Sequence, residues 1–257
     1  MLKKKILKSK IEKLFKDLKI LRNDNVIIHS NSAGINQFLN DKNDKNLKLF
    51  IQIMLNYIGK NGTVLIPTYN YDFTKGKTFQ VDKSLSQVGE LGNILIKSNS
   101  KNRTREPVFS HIAFGKLKDK IFNCDTKEAF GDKSIFNYIL NKNFKIICFC
   151  CSPATMTFIH FVEKKVNVDY RYNKYFKSFI KINDRKIITK YKYCVGKKNI
   201  DYSLKEKKIY NLLGKKLIIK NFGRFICSQI NTKLLFKAIK NKISKDKHFL
   251  INNENKF

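Results

Sequence analysis

The feature that most constrains the fold is a strand, helix, strand order in the first third of the chain. Residues 26–28 form a short apolar run directly after the turn-forming residues 23–25. Apolar residues then recur at helical spacing over 47–58, and 63–66 form a second apolar run. Two strands joined by a helix are the unit from which parallel and mixed sheets are built. The sequence therefore predicts an α/β fold with a mixed central sheet flanked by helices.

The last third of the chain has a different pattern. Apolar and polar residues alternate over 176–182 and again over 187–195, which indicates antiparallel strands. No linker, repeat or low-complexity segment interrupts the sequence. We therefore expect one domain over 1–257, in which 1–175 form the core with the functional motifs and 176–257 form a more antiparallel C-terminal portion.

A polar loop follows each of the two strands predicted in the first third. The segment 29–34 reads His-Ser-Asn-Ser-Ala-Gly, and 67–73 reads Pro-Thr-Tyr-Asn-Tyr-Asp-Phe. Ligands of α/β proteins usually bind where strands end at one edge of the sheet. We expect the two loops to converge there on a ligand site.

The net charge of +33 raises nucleic acid or an anionic membrane as a partner. Only six of the 53 basic residues are arginine, however, and the lysines are spread along the whole chain. Sites that recognise phosphates and bases usually rely on the planar guanidinium group. A specific nucleic-acid function is therefore disfavoured, although a non-catalytic basic binding protein stays open. The positive potential would attract anionic ligands.

The compartment is predicted from cysteine usage and from the N-terminal segment. The six cysteines lack the spacing of a secreted disulfide scaffold, and the C-x-x-C of Cys148 and Cys151 lies in an apolar run that predicts a buried strand. Lysines interrupt residues 1–21 too often for a signal peptide or a membrane span, so this segment reads as an amphipathic helix. We expect a cytoplasmic protein without a membrane span.

His160 and Glu163 are the strongest catalytic candidates. They are three residues apart in a predicted helix, which places them on one face within reach of each other. A carboxylate that orients an imidazole makes it a good general base at neutral pH. A purely structural pair is the alternative. The H-E-x-x-H pattern of zinc enzymes is absent, and no metal is expected.

The chain resembles the aminoglycoside 3-N-acetyltransferase family in four blocks that occur in the family's order between about residues 10 and 175. Residues 29–32 are similar to the family's H-S-S-x-S segment, and 62–68 to its G-T-L-x-x-P-T. Residues 103–115 are similar to R-S-x-H-P-x-x-S-x-x-A-x-G. Thr157-x-x-His160-x-x-Glu163 with the following Tyr170-Arg171 resembles T-x-x-H-x-x-E and its downstream tyrosine-arginine. The segment 176–257 matches only loosely.

The resemblance implies an acetyl-CoA co-substrate and a set of residues around it. Those implied to line the coenzyme A side of the cleft, or to lie close to the same ligand, are Ser30, Asn31, Ser32, Thr68, Arg103, Ser110 and Ala113. Small and hydroxyl side chains let a pantetheine arm approach the backbone, and an arginine can pair with phosphate. The alternative is that 30–34 form a simple polar turn and that Arg103 is a solvated charge.

The resemblance also implies a direct transfer mechanism. His160 is then the general base and Glu163 its orienting partner, with no covalent acyl-enzyme. Asp72 is expected to hold the ammonium group of the acceptor, although a turn or capping role is an equal alternative. Arg171 is expected on the substrate-binding side of the site.

Two positions depart from the family pattern. Glu106 stands where the family has a histidine before proline, and Thr104 replaces its usual serine. The first change alters the charge beside the expected cofactor cleft.

The resemblance implies that the acceptor is an amino group on a sugar. The positive net charge favours a nucleotide-linked amino sugar of surface polysaccharide or lipopolysaccharide biosynthesis over a polycationic aminoglycoside. Aminoglycoside acetylation with antibiotic resistance is the alternative. Besides the small-molecule acceptor, a homodimer partner stays open.

Overall fold

The computed structural model describes residues 2–38, 44–124 and 127–252. The strands are β1 (Asn25–Ser30), β2 (Thr63–Pro67), β3 (Phe79–Gln80), β4 (His111–Gly115), β5 (Lys145–Phe149), β6 (Arg171–Ile182), β7 (Arg185–Gly196), β8 (Ile218–Phe222) and β9 (Phe225–Asn231). The helices are α1 (Leu2–Asp17), α2 (Ala33–Asn36), α3 (Asp44–Ile58), α4 (Glu90–Asn99), α5 (Lys118–Phe122), α6 (Ile135–Asn141), α7 (Phe158–Val166), α8 (Glu206–Leu213) and α9 (Thr232–Ile243).

The central sheet has the strand order β4-β2-β1-β5-β9-β8. Its middle strands β2, β1 and β5 are parallel, whereas β4 pairs antiparallel with β2 and β9 pairs antiparallel with β5. The predicted mixed sheet is confirmed. The strand, helix, strand unit of the sequence corresponds to β1, α3 and β2, which are neighbours as the rule for short crossover connections requires.

Helices cover both faces of this sheet because its strands are apolar on both sides. Along β1, Val26 and Ile28 belong to one hydrophobic cluster and Ile27 to the other. The first cluster contains buried residues of α1, α3 and α4, and the second contains buried residues of α6, α7 and α9. None of the described helices is long and apolar enough to cross a membrane.

A second sheet has the order β3-β6-β7, and its β6 and β7 pair antiparallel along twelve residues each. Phe73, Phe79 and Tyr191 form part of a third cluster that packs against it. The alternating patterns over 176–182 and 187–195 predicted these two strands correctly.

The C-terminal portion is less separate than the sequence suggested. The predicted boundary at residue 175 falls inside β6, which begins at Arg171. The strands β8 and β9, which the sequence analysis did not predict, extend the central sheet beside β5. Residues 1–175 therefore do not form the core sheet alone.

Gly115 gives a test of the sheet packing at the end of β4. Its φ is +94°, and a Cβ built there would lie 1.9 Å from the Gly62 carbonyl oxygen. We expect Gly115→Ala to lower the free energy of unfolding by about 3 kcal/mol or more, because backbone strain and a backbone clash add. Urea denaturation measures this change.

Gly76→Ala is the matched control. Gly76 also has a positive φ, +80°, but a Cβ there would meet nothing within 4 Å. Only the left-handed backbone is penalised, so the expected loss is about 1 kcal/mol. Equal losses for the two variants would contradict the close packing of β4 against residue 62.

Candidate active site

A cleft of about 370 Å³ opens at the edge of the central sheet where the parallel strands end. Ser30 ends β1, Pro67 ends β2, and Cys151 follows β5; all three line this cleft. The convergence of polar loops that the sequence predicted is therefore present. The described lining consists of Ile28, His29, Ser30, Ile66, Pro67, Tyr69, Tyr71, Val88, Gly89, Leu91, Gly92, Cys151, Ala154, Thr155, Thr157 and His160.

His160 and Glu163 form the pair that the sequence predicted. His160 lies in the first turn of α7 and Glu163 one turn later, and His160 Nδ1 is 2.8 Å from Glu163 Oε2. The imidazole is 29% exposed and lines the cleft, whereas the carboxylate is completely buried behind it. A carboxylate oxygen only accepts, so this hydrogen bond requires a hydrogen on Nδ1. In that tautomer Nε2 carries the free lone pair.

Two side chains that follow α7 complete the environment of Glu163. Asn167 adopts a left-handed conformation, φ 58°, which ends the helix and returns the chain over it. Tyr170 then donates its hydroxyl to Glu163 Oε1 at 2.9 Å, and Arg171 donates Nε to Oε2 at 2.7 Å. A buried carboxylate is tolerated only when such partners replace its lost hydration.

These partners keep Glu163 ionised. Burial raises the pKa of the Glu163 carboxyl, but the neighbouring His160 and Arg171 and the Tyr170 hydroxyl outweigh burial and hold that pKa below its usual value. Arg171 Nη2 also lies 2.9 Å from His160 Nδ1. The predicted substrate residue Arg171 thus contacts both members of the pair, and its side chain is 7% exposed.

Of the predicted ligand-site residues 30–32, only Ser30 belongs to the described cleft lining. Ser30 lines the cleft, whereas Asn31 and Ser32 are not among the described lining residues. Asn31 Oδ1 instead accepts a hydrogen bond from the Ala33 backbone N–H at 3.0 Å. Asn31 therefore has the role of a residue in a polar turn, which was the alternative. Ser30 lines the same cleft as His160.

Arg103 is an interior residue. Its Nε donates to Thr68 Oγ1 and Ser110 Oγ at 3.1 Å each, and Nη2 donates to the Thr68 carbonyl at 2.7 Å. Its Nη1 donates to the carbonyls of Val81 and Ser84 at 3.1 and 2.6 Å. Burial lowers the pKa of Arg103 to about 10, which leaves the guanidinium charged at neutral pH. Arg103 therefore ties the loop containing residues 81–84 to the end of β2.

Four residues that the resemblance places on or near the coenzyme A side lie behind the described cleft lining, and their contact with the ligand stays a prediction. Thr68, Ser110 and Ala113 are completely buried, and Arg103 is 2% exposed. None of the four is among the described residues that line the cleft. The guanidinium donors are already occupied by oxygen atoms of the protein, so a phosphate would have to displace them. The alternative that Arg103 is a solvated charge is wrong, because the side chain is buried.

Asp72 lies next to the cleft without lining it. Its neighbour Tyr71 is a lining residue, while Asp72 Oδ1 accepts a hydrogen bond from Gln87 Nε2 at 3.2 Å and lies 3.9 Å from Lys77 Nζ. Asp72 also begins a short 3₁₀ turn, Asp72–Lys75. Its surroundings match the turn alternative, and the ammonium-binding role stays a prediction.

The departure at Glu106 has a local structural explanation. The carboxylate accepts hydrogen bonds from the backbone N–H groups of Val108 and Phe109, and Tyr193 donates its hydroxyl to it at 2.5 Å. Glu106 thus holds the turn before β4 against β7. None of these contacts brings Glu106 into the described cleft lining.

Several lining residues were not named individually as site residues from the sequence. His29 precedes Ser30 on β1, and Cys151, Thr155 and Thr157 follow β5. The rule that parallel strands end at one edge, applied to the predicted strand around residue 147, would have found the last three. Tyr69 lies in a loop that was predicted, but its contribution depends on side-chain direction.

The predicted buried strand around the C-x-x-C motif is confirmed only in part. Cys148 is buried in β5, whereas Cys151 lies beyond the strand end and lines the cleft. Within the residues that the structure describes, no group of three or more histidine, cysteine or acidic residues could hold a metal ion.

A mixed α/β sheet whose parallel strands end at a cleft lined by a carboxylate-paired histidine is an architecture typical of α/β enzymes. A family model described as aminoglycoside 3-N-acetyltransferase matches residues 27–232, most of the chain. The chain belongs to this family. Membership confirms the predicted class of enzyme, an N-acetyltransferase.

Solved structures share the fold over nearly their whole length. The YokD protein from Bacillus subtilis has a TM-score of 0.78 at 14% identity, with 93% of this chain and 94% of that chain covered. AAC-IIIb in a binary complex with CoASH has a TM-score of 0.78 at 13% identity, with coverages of 93% and 96%. The AAC(3)-IVa apoenzyme has a TM-score of 0.72 at 12% identity, with 95% of this chain and 90% of that chain covered. No curated protein sequence matches the chain.

Arg103→Met tests the structural role of the buried guanidinium. The substitution removes the Arg103 donors from the carbonyls of Val81 and Ser84 and leaves the Thr68 carbonyl with the Ser110 hydroxyl alone. We therefore expect the free energy of unfolding to fall by about 3 kcal/mol or more. Arg105→Met removes the same charge from an exposed position and should change it by less than about 0.5 kcal/mol. Chemical denaturation compares the two. A stable Arg103→Met protein would show that the loop does not depend on this residue.

Glu163→Gln should destabilise the protein in a pH-dependent manner. A pKa that is lowered on folding stabilises the native state above the ordinary carboxyl pKa, and this contribution is lost as the pH falls through the lowered value. The deficit relative to wild type should therefore be about 3 kcal/mol at neutral pH and should shrink as the pH falls below the ordinary carboxyl pKa and through the lowered one. Urea denaturation across this pH range measures it.

Glu12→Gln is the control for this experiment, because Glu12 is 42% exposed and lies 3.8 Å from Lys8 Nζ in a surface pair. Glu12→Gln should change the free energy of unfolding by no more than about 0.5 kcal/mol over the same pH range. A Glu163→Gln deficit that grows in acid would contradict a buried, ionised Glu163.

Proposed function

We propose that the protein transfers the acetyl group of acetyl-CoA to an amino group of an aminoglycoside. The observation that carries this proposal is His160, held by a buried and ionised Glu163, at the surface of a cleft formed by parallel strand ends. An imidazole in this setting is suited to remove a proton from an amine as the amine attacks a carbonyl carbon. Family membership supports the same reaction.

The transfer proceeds in one active site with both substrates bound. His160 Nε2 accepts a proton from the amine as its nitrogen attacks the thioester carbonyl carbon and the carbon–nitrogen bond forms. Glu163, 2.8 Å from Nδ1, stabilises the imidazolium that results. The tetrahedral intermediate then collapses, the carbon–sulfur bond breaks, and the coenzyme A sulfur takes up the proton as the free thiol.

Arg171 and Tyr170 act through Glu163. Their hydrogen bonds occupy both carboxylate oxygens and fix the direction in which Glu163 faces the imidazole ring. Arg171 is therefore a positioning residue in this mechanism, a different role from the substrate contact expected from the sequence. Its charge also keeps the carboxylate ionised while the imidazole cycles between its two protonation states.

Acetyl-CoA as the acyl donor is supported by the family and by the solved complex of AAC-IIIb with CoASH, which shares the fold. The cleft volume of about 370 Å³ falls within the range of small-molecule sites. Its described walls combine apolar side chains such as Ile66 and Leu91 with the hydroxyls of Ser30 and Thr155. Such walls suit the pantetheine arm, which alternates methylene and amide groups.

The aminoglycoside acceptor replaces the nucleotide-linked amino sugar that the net charge favoured. AAC-VIa has been solved with sisomicin and an AAC(3)-IVa mutant with a gentamicin, and both share this fold. The described cleft lining contains no lysine, arginine, aspartate or glutamate. The bulk charge of +33 is therefore located elsewhere on the chain and is a poor guide to the acceptor.

His160→Ala tests this proposal directly. We expect the substitution to lower kcat for coenzyme A thiol release at least about 100-fold, because general base catalysis is lost while the fold is kept. The assay should use sisomicin, gentamicin and a nucleotide-linked amino sugar as alternative acceptors, with circular dichroism as the check on folding. Wild-type turnover by His160→Ala would remove His160 from the mechanism. Turnover of the nucleotide-linked sugar alone would reject the aminoglycoside acceptor.

A further inference from the structure

His29 is the histidine for which the described structure provides no hydrogen-bond partner. His160 pairs with Glu163, His111 Nε2 lies 3.1 Å from the Tyr69 hydroxyl, and His248 Nε2 lies 2.6 Å from Asp169. His29 lies near the end of β1, is 9% exposed and lines the same cleft as His160. A buried polar side chain normally finds a partner, so its absence requires an explanation.

The His29 ring faces the cleft instead of being sealed in the core. Nδ1 of His111 is a completely buried ring nitrogen without a partner, but neither ring nitrogen of His29 belongs to this class. The His29 nitrogens therefore remain open to whatever occupies the cleft. A group bound there would supply the missing hydrogen bond.

The ring is uncharged at neutral pH. Burial lowers the pKa of His29 to about 4, so His29 stays a neutral imidazole with one N–H donor and one lone pair. His160 differs, because its Nδ1 lies 2.8 Å from the Glu163 carboxylate. Two imidazoles in one cleft with opposite electrostatic surroundings are suited to different tasks.

We propose that His29 donates its ring N–H to the carbonyl oxygen of the bound thioester and stabilises the negative charge on that oxygen in the tetrahedral intermediate. The inference rests on the proposed acetyl transfer. His160 removes the proton of the attacking amine, whereas His29 retains its own hydrogen throughout. When the intermediate collapses, the oxygen returns to a carbonyl, the carbon–sulfur bond breaks and His29 is unchanged.

The position of His29 supports this division of roles. His29 lies near the end of the strand β1 and His160 lies on the helix α7, so two different elements bring the two rings to one cleft. A base and an oxyanion donor must reach the reacting carbon from different directions. The neighbouring Ile28, Ile66 and Leu91 are apolar and weaken competition from water.

His29→Leu and His29→Gln in the full-length chain test the proposal. A donor to the oxyanion acts mainly in the transition state, so we expect His29→Leu to lower kcat about 100-fold to 1000-fold with KM for acetyl-CoA within about threefold of wild type. His29→Gln keeps a side-chain N–H, so its kcat should be at least about tenfold higher than that of His29→Leu. The ratio of the wild-type kcat to the His29→Leu kcat should be constant from pH 5.5 to 8.5, because His29 does not titrate in that range.

Binding of free coenzyme A separates this role from a structural or general binding role. Coenzyme A lacks the thioester carbonyl, so its Kd, measured by calorimetry, should be the same for wild type and His29→Leu. The leucine variant should also melt at the same temperature as wild type or higher, because an unpartnered polar ring is replaced by an apolar one.

Three results would overturn the proposal. Unchanged kcat in His29→Leu, with His160→Ala inactive in the same assay, would reject the role of His29 while the proposed function stands. A raised Kd for coenzyme A with unchanged kcat would make His29 a binding residue only. Absence of thiol release by the wild-type protein with every acceptor would reject both the proposed function and this inference.

Discussion

The buried carboxylate of Glu163 is the interaction on which the site depends. It has no exposed surface, and its two oxygens receive the Tyr170 hydroxyl, the Arg171 guanidinium and the His160 imidazole. Removal of a carboxylate from water is so unfavourable that such a group persists only in a fully bonded setting. The same bonds fix the imidazole tautomer. The hydrogen bonds of Glu163 therefore both stabilise the buried carboxylate and orient His160, the proposed base.

The sheet determines where the proposed base, His160, lies. Parallel pairing of β2, β1 and β5 brings three strand ends to one edge, and the helix α7 begins just beyond the third. The described part of the cleft lining has no lysine, arginine or acidic side chain, although the chain carries a net charge of +33, so the local electrostatics of this lining differ from those of the surface. Within this described lining, His29 and the carboxylate-paired His160 are the two imidazoles that a ligand can contact.

Arg103 shows how a motif residue can serve the site without touching it. Sequence similarity identified the residue but not its surroundings, and an arginine beside a coenzyme A cleft suggests a phosphate contact. Its donors instead bind oxygen atoms of Thr68, Ser110 and the loop containing residues 81–84. A guanidinium offers five donors in a fixed plane, so it can join several backbone segments at once. The loop that it holds precedes Val88 and Gly89 of the cleft lining.

The sequence by itself determined the elements with a strong local period. The helix over 47–58, the antiparallel pair β6 and β7 and the His160–Glu163 spacing all follow from periods of 3.6 and 2, which neighbouring residues set without distant partners. Only the tertiary structure decided that β8 and β9 join the central sheet, that Arg103 is internal, and that His29 faces the cleft. These three features depend on contacts between segments that are far apart in the sequence. Neither burial nor hydrogen-bond partners are encoded in local spacing.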